Sequence, residues 1–401
     1  MTPVVVVGGV LTALGVVRSL AHAGIPVYLA SDTRFCPAGL SRHCTLLRVP
    51  DLEGEGLIDG LLSISGQIGE KAVLILSSDP QVVAVSRARA DLEAHYFVAL
   101  PTETMVDVLV DKAKFQAYAE EIGLRVPRAV VLDRDHAEEA LDVLSMPVVV
   151  KPADKALVLA GAVERATRAD TLAEACTVAR RMRSAASSVV VQEWIDGDDD
   201  DIYFTLFVCD RQARIVALFT GRKMICTPPL VGSTALCIAA TEEHQALAAL
   251  TQALVTHTHY QGIGGLEFKR HRRTGEFVVV EPTVGRADWQ EEIATLCGVN
   301  IPAIAYRTAL GEPVEPAGPI DSAVAWRASF RYRPPAGALP PGTRFVDGYF
   351  RRADPLPGVY SLYTYLITSA LARLASRFVK QRRSRPATEP IPVIQPSPIG
   401  G

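Results

Sequence analysis

Apolar runs of four or five residues recur along the chain, each closed by a polar or glycine-rich stop. Val4–Val7 followed by Gly8-Gly9 reads as a buried strand, residues 11–23 carry apolar side chains at helical spacing, and residues 27–30 return as a strand. That is a βαβ opening. Residues 73–76 predict a further parallel strand ending at Ser77-Ser78-Asp79, a polar edge of the kind where open α/β sheets bind ligands. Phe115, Tyr118, Ala119 and Ile122 mark one face of a helix over 111–122, and Pro127 forbids its continuation. Val148–Pro152 and Val189–Glu193 read as strands. Ile202–Cys209 and residues 215–219, joined by a turn at Asp210-Arg211, predict an antiparallel second lobe. Residues 262–286 predict two strands joined by a basic turn at Thr274-Gly275, while Gly221-Arg222-Lys223-Met224, Pro228-Pro229 and Gly232-Ser233 read as a turn-rich element outside the strands.

Farther on, residues 324–332 alternate like a strand that extends this lobe, between proline-rich, loop-like flanks. Residues 360–379 form a helical pattern in which Leu362, Leu366, Ile367, Leu371, Leu374 and Phe378 meet Arg373, Arg377 and Lys380, followed by Arg382, Arg383 and Arg385. The uncharged part, residues 359–372, is shorter than the ~18 residues needed to cross a bilayer. Such a basic amphipathic helix lies on a membrane surface, docks on a partner, or packs on the core with its basic end complementing the dipole. Residues 385–401 are proline-rich and are expected to be disordered.

Composition narrows the class. A chain of 401 residues, 49% hydrophobic, holds two or three domains with ample core. A net charge of −3 gives no argument for nucleic acid. Seven cysteines without CxxC pairs argue for reduced thiols in a cytosolic setting, and no basic region precedes the first apolar run as a signal peptide would require.

Candidate chemistry gathers at charged residues that end apolar runs. Glu267 and Glu281 stand on the two strands of the 262–286 hairpin, where buried carboxylates need a partner: a Lys or Arg, or a cation such as Mg²⁺. Lys151 closes an apolar strand, which suits either a phosphate or a snorkelling side chain. Arg222 and Lys223 offer adjacent cations for a carboxylate or phosphoryl group, or simple surface charge. Asp198 to Asp201 read as a solvated acidic turn, and Asp288, Glu291 and Glu292 as acids complementing the start of a helix. Gly8, Gly9 and Gly15, with Asp32 after the second strand, only loosely imitate a dinucleotide fingerprint, and a plain Rossmann-like scaffold is the better reading.

Asp111-Lys112, Val148-Val-Val-Lys-Pro152, Val191-Gln-Glu-Trp-Ile-Asp-Gly-Asp-Asp199 and the Glu267/Glu281 hairpin follow one another in the order and approximate spacing of the ATP-grasp superfamily of carboxylate–amine and carboxylate–thiol ligases. The chain resembles that family from about residue 1 to residue 312. The resemblance implies a mixed α/β and α+β fold: a Rossmann-like domain over 1–100, then a two-lobed ATP-grasp unit over 101–190 and 191–315. An extension of the second lobe (316–358) and the basic helix with its tail (359–401) would follow. It implies Lys112 and Lys151 on nucleotide phosphates, Glu193, Trp194 and Ile195 at the adenine, and Asp199 on the ribose, with Asp200 as a substitute. Glu267, Glu281 and Thr283 would hold Mg²⁺, or Mn²⁺. Arg222 and Lys223 would lie over substrate or γ-phosphate, and Arg286 on the phosphoryl group or tetrahedral intermediate.

The implied activity joins a carboxylate to an amine or thiol through an acylphosphate, with release of ADP and phosphate. Its partners are small molecules; dimers are common in the family. The implied location is cytoplasmic, with peripheral attachment at the inner membrane face if the C-terminal helix binds lipid. The chain departs from the pattern twice. Residues 153–162, in the place of the phosphate-covering loop, hold only Gly161, and Thr283 stands where most relatives carry Asn. Two other classes compete: a non-catalytic nucleotide-binding or assembly protein acting through its C-terminal helix, and an oxidoreductase resting on residues 8–32 alone.

Overall fold

The computed structural model describes residues 1–133, 138–153, 164, 166–314 and 320–368. Five parallel strands open it: β1 (Val4–Val7), β2 (Val27–Ser31), β3 (Thr45–Arg48), β4 (Ala72–Ile75) and β5 (Tyr96–Phe97), in the order β3-β2-β1-β4-β5. All four valines of β1 are buried because helices cover both faces, which is why the strand reads as an unbroken apolar run. Gly8 has φ +140°, and a Cβ there would lie 2.3 Å from Ser77 Oγ. The close approach of two strand ends explains this glycine without a dinucleotide.

A small lobe follows. Its strands β6 (Ala129–Leu132), β7 (Val148–Pro152), β8 (Thr167–Ala169) and β9 (Val189–Glu193) pair antiparallel in the order β6-β9-β7-β8. The helix Leu172–Arg183, started by a Thr171/Glu174 capping box, lays Ala175, Ala179 and Met182 on this sheet.

The large sheet takes the order β14-β13-β10-β11-β12-β15-β16. Its strands are β10 (Ile202–Cys209), β11 (Ile215–Thr227), β12 (Ser233–Ala239), β13 (Gly262–Arg270), β14 (Phe277–Val284), β15 (Val324–Arg327) and β16 (Arg344–Asp347). Every pairing is antiparallel except β15 with β16. Three expectations change here. Residues 221–224 lie inside β11 rather than in a turn. Gly221 stands opposite Phe204, and a Cβ on it would lie 2.2 Å from that ring, so the glycine makes room for an aromatic across the strands. Strands β12 and β16 lie where turn residues suggested loops, and only 324–327 of the expected 324–332 are strand.

The parallel sheet and the large sheet share their apolar clusters: Val4 and Val6 pack in one with Phe204 and Phe219, Val5 and Val7 in another with Tyr203 and Phe207. The small lobe has its own core, which includes Leu132, Val148, Val150, Val189 and Val191.

A buried ionic seam ties the C-terminal extension to the first helix, Leu11–His22. Arg18 donates to Asp354 at 3.0 Å and to the carbonyls of Gly348 and Tyr349 at 2.7 and 2.9 Å. Glu291 and Glu292 stand at the start of the helix Glu292–Leu296, as expected, but make no side-chain capping bond there and are buried. Glu292 pairs with Arg351 at 2.8 Å and accepts from Trp326 Nε1 at 3.0 Å, while Glu291 accepts from Ser19 Oγ at 3.3 Å. Burial, and then the neighbouring Glu292 charge, push Glu291 up to about 8. Asp288, also expected at the helix start, lies four residues ahead of the helix Glu292–Leu296 and accepts instead from the Trp289 amide and from Gln290 Nε2, both at 2.8 Å.

Residues 356–368 are helical, starting four residues earlier than the pattern suggested, and expose Leu356, Val359, Leu362, Tyr363 and Leu366. Most of the expected phosphate loop, the basic residues from Arg373 onward and the proline-rich tail lie outside the described residues. No helix among the described residues is long and apolar enough to cross a membrane.

Candidate active site

The pairing of β13 with β14 sets Glu267 directly opposite Glu281, and Gly265 opposite Thr283. With a side-chain period of two, Glu267, Glu281 and Thr283 share one face of the sheet. Each carboxylate already meets an ammonium. Lys112 is the first residue of the helix Lys112–Glu121, whose start is fixed by Asp111 accepting from the amides of Ala113 and Lys114, both at 2.9 Å. From there Lys112 Nζ lies 3.7 Å from Glu281 Oε2. Lys223, on β11, donates to Glu267 Oε2 with its side chain only 4% exposed. Burial alone would lower the Lys223 pKa; the surrounding charges, Glu267 foremost, together outweigh it and hold it above the ordinary lysine value.

A cleft of about 740 Å³ runs between the small lobe and this face, bounded by Lys151, Glu193, Trp194 and Ile195 on one side and by Lys112, Glu267 and Glu281 on the other. Lys151 Nζ donates to Gln192 Oε1 at 3.0 Å, and Gln192 Nε2 donates to Gln116 Oε1 at 2.7 Å. Trp194 is overlaid by the Arg168 guanidinium, 4.9 Å from its centroid. Glu193 is held by accepting from the Ser145 amide at 2.8 Å. Lys269 also lines the cleft, donating to the Gly197 and Asp198 carbonyls at 3.0 and 2.6 Å, and burial lowers its pKa. Sequence reasoning passed over Lys269 and Gln192. Two residues past Glu267 on the same strand, Lys269 was open to discovery by the alternation of faces.

A second cavity, of about 1040 Å³, adjoins at the carboxylates. Lys112, Glu267 and Glu281 line both; the second adds Lys223, Thr283 and Arg286, with Ser77, Ser78 and Asp79 from the end of the parallel sheet. Arg286 Nε donates to Asp79 Oδ1 at 2.5 Å. Burial opposes the buried guanidinium's charge, but Asp79 and then Asp288 raise its pKa on balance. The buried Thr234 hydroxyl on this wall has no hydrogen-bond partner among the described residues.

Two candidates are not brought to either cavity. Adjacent positions on a strand point to opposite faces, so Arg222 turns from Lys223 to pair with Asp200 at 3.2 Å and to lie over the Tyr203 ring at 5.4 Å. Asp199 accepts from the amides of Cys226 at 2.7 Å and Leu230 at 2.6 Å, which makes it a pin for the segment after β11. The rest of the acidic run is also tied down: Asp201 is buried and bonded by Arg272 and Arg270, which keep its carboxyl below the usual range against the opposing effect of burial.

Among the described residues no cluster of three or more His, Cys, Asp or Glu could hold a metal. Two facing carboxylates with a hydroxyl nearby nevertheless suit Mg²⁺ held jointly with phosphate oxygens and water.

A parallel sheet, a small antiparallel lobe and a large sheet, enclosing a cleft lined by lysines and glutamates, make up the ATP-grasp fold. No family model and no curated protein matches the sequence. Among solved structures, the ADP complex of purK, N5-carboxyaminoimidazole ribonucleotide synthetase, is similar with TM-score 0.62 at 12% identity over 80% of each chain. The synthetase of the same name from Thermus thermophilus gives 0.59 at 15% identity over 79% of this chain and 81% of that one. The biotin carboxylase domain of the Hydrogenobacter thermophilus 2-oxoglutarate carboxylase, in complex with MgADP, ADP and bicarbonate, gives 0.59 at 16% over 79% and 71%.

Proposed function

We propose that the chain is an ATP-dependent ligase that joins a carboxylate to an amine or thiol through an acylphosphate. The observation that carries this reading is the shared boundary of the two cavities: Lys112, Glu267 and Glu281 stand where a nucleotide cleft meets a second pocket whose wall carries Lys223 and Arg286 beside Asp79 and Asp288. Two of the structural neighbours, solved with ADP or MgADP, support the assignment of the first cleft to nucleotide.

In this mechanism Trp194 and Ile195 flank the adenine, and Lys151 and Lys112 oppose phosphate charge. Glu267, Glu281 and the Thr283 hydroxyl would hold Mg²⁺, which neutralises phosphate oxygens when bound. Lys223 and Arg286 orient the acid in the second pocket, where its oxygen bonds the γ-phosphorus of ATP as the bond to ADP breaks. The amine nitrogen, or thiol sulfur, then bonds the acyl carbon, phosphate leaves, and the nucleophile's proton passes to phosphate or solvent. No side-chain nucleophile is required; positioning and electrostatics lower the barrier.

The test is phosphate release from ATP and Mg²⁺ against carboxylic acids and amines or thiols offered singly and in pairs. Release that depends on one pair is expected, with Glu281→Gln losing about 100-fold while folded; undiminished turnover in the variant would sink the assignment.

A further inference from the structure

Trp289 lines the second cavity on one side and a separate groove on the other. The groove, about 1170 Å³ and open to solvent, lies between residues 328–332, Tyr349 and the helix at 356–368. Its aromatic lining is Trp289, Phe330, Tyr332, Tyr349 and Tyr365, and its one charged residue among those described is Arg331. Such a wall binds planar apolar groups, since ring faces offer large area at little entropy cost. Phe330 is 46% exposed, leaving apolar surface available at the groove.

Arg331 sets the charge preference. Its guanidinium lies 4.1 Å from the Tyr365 ring centroid, and Nε donates to Ser329 Oγ at 3.3 Å. Among the described residues it makes no salt bridge, and no carboxylate lines the groove. A guanidinium carries five donors in a planar fork suited to carboxylate or phosphate, and here one of them is given to a neutral hydroxyl.

We infer that this groove holds the non-reacting part of the substrate, a planar apolar body bearing a second anionic group, while the reacting end extends past Trp289 toward Lys223 and Arg286. The inference rests on the ligase reading for the position of the reacting end. It adds the class of compound: an aromatic or similarly flat acid with a second carboxylate or phosphate.

The experiment titrates the full chain with 1-naphthoate, 1-naphthyl phosphate and neutral 1-naphthamide by calorimetry, and measures ATP affinity separately. At least one anion is expected to bind tenfold or more tightly than the amide. Arg331→Gln removes that preference, Phe330→Ala weakens all the probes that bind, and neither changes ATP affinity by more than twofold. Stronger binding of the naphthoate assigns the anion as carboxylate, and of the naphthyl phosphate as phosphate. Equal binding of anions and amide, no effect of Arg331→Gln, or no binding to the full chain overturns the groove. Failure of the wild-type chain to bind ATP would instead overturn the ligase reading.

Discussion

The small lobe and the rest of the molecule are held by different forces. The parallel sheet and the large sheet share two apolar clusters, so separating them would expose core on both sides. Among the described residues, the small lobe's core draws only on its own side chains, between 130 and 191. Its ties to the body include polar ones: Gln192 to Gln116 at 2.7 Å, the Lys112 amide to the Ala153 carbonyl at 3.4 Å, and the Arg272 amide to the Asp196 carbonyl at 3.0 Å. Apolar burial is lost as a block, whereas each hydrogen bond can be exchanged for one to water at a net cost of about 1 kcal/mol. The two walls of the nucleotide cleft therefore belong to units of unequal rigidity, with Lys151 and Trp194 on the loosely tied wall and Glu267 and Glu281 on the fixed one.

Truncation in each core breaks this comparison most strongly. Phe204→Ala is expected to destabilise the body by about 3–5 kcal/mol and to lower the main unfolding transition, as calorimetry would record. Leu132→Ala should cost about 2–4 kcal/mol within the small lobe alone. Hydrogen exchange would then quicken on β6 to β9 and remain unchanged on β1 and β10; equal quickening on both would mean a single cooperative unit. Gln192→Leu, which removes a side-chain link between lobe and body and a hydrogen bond to Lys151, should weaken ATP binding about tenfold, the equivalent of about 1.4 kcal/mol, with little change in the melting temperature.

The smallest effect concerns the seam on the body side. Glu291 is raised to about 8 from an ordinary 4.5, so the folded state binds its proton more tightly than the unfolded chain does. Its contribution is fully present below pH 4.5 and is lost as pH rises toward 8. Glu291→Gln should therefore raise the melting temperature by about 2–4 °C at about pH 8.5 and leave it unchanged at about pH 4; a scan of both proteins across that range checks the sign.

What the sequence disclosed follows from where the determining partners lie. The β13–β14 hairpin, with Glu267 facing Glu281, is a local structure, and alternation plus the Thr274-Gly275 turn specify it. Lys112 and Lys151 were legible because each sits at the end of an element with a clear boundary. Strands β12 and β16 were missed because Gly232, Pro340 and Pro341 signal turns, while pairing with distant strands decides their state. The roles of Asp199 and Arg222 depend on which way a side chain turns, and for Asp199 on the fold of the segment after β11. Glu291 looked like an ordinary helix-start acid, since Ser19 on the first helix, which helps to bury it, lies 272 residues earlier.

The seam also sets a schedule for biosynthesis. Arg18 is made near the start of the chain, and Asp354, its buried counter-ion, comes 336 residues later. At about 5–20 residues per second that is a wait of roughly 20–70 s, during which the first domain has emerged from the ribosome with an arginine whose partner does not yet exist. The nascent domain must keep that guanidinium in water, leaving the seam side of its first helix uncovered until the last strand and Asp354 arrive. Completion of the N-terminal domain is in this sense a C-terminal event, and a chain released early would expose the surface that quality-control proteases and chaperones recognise.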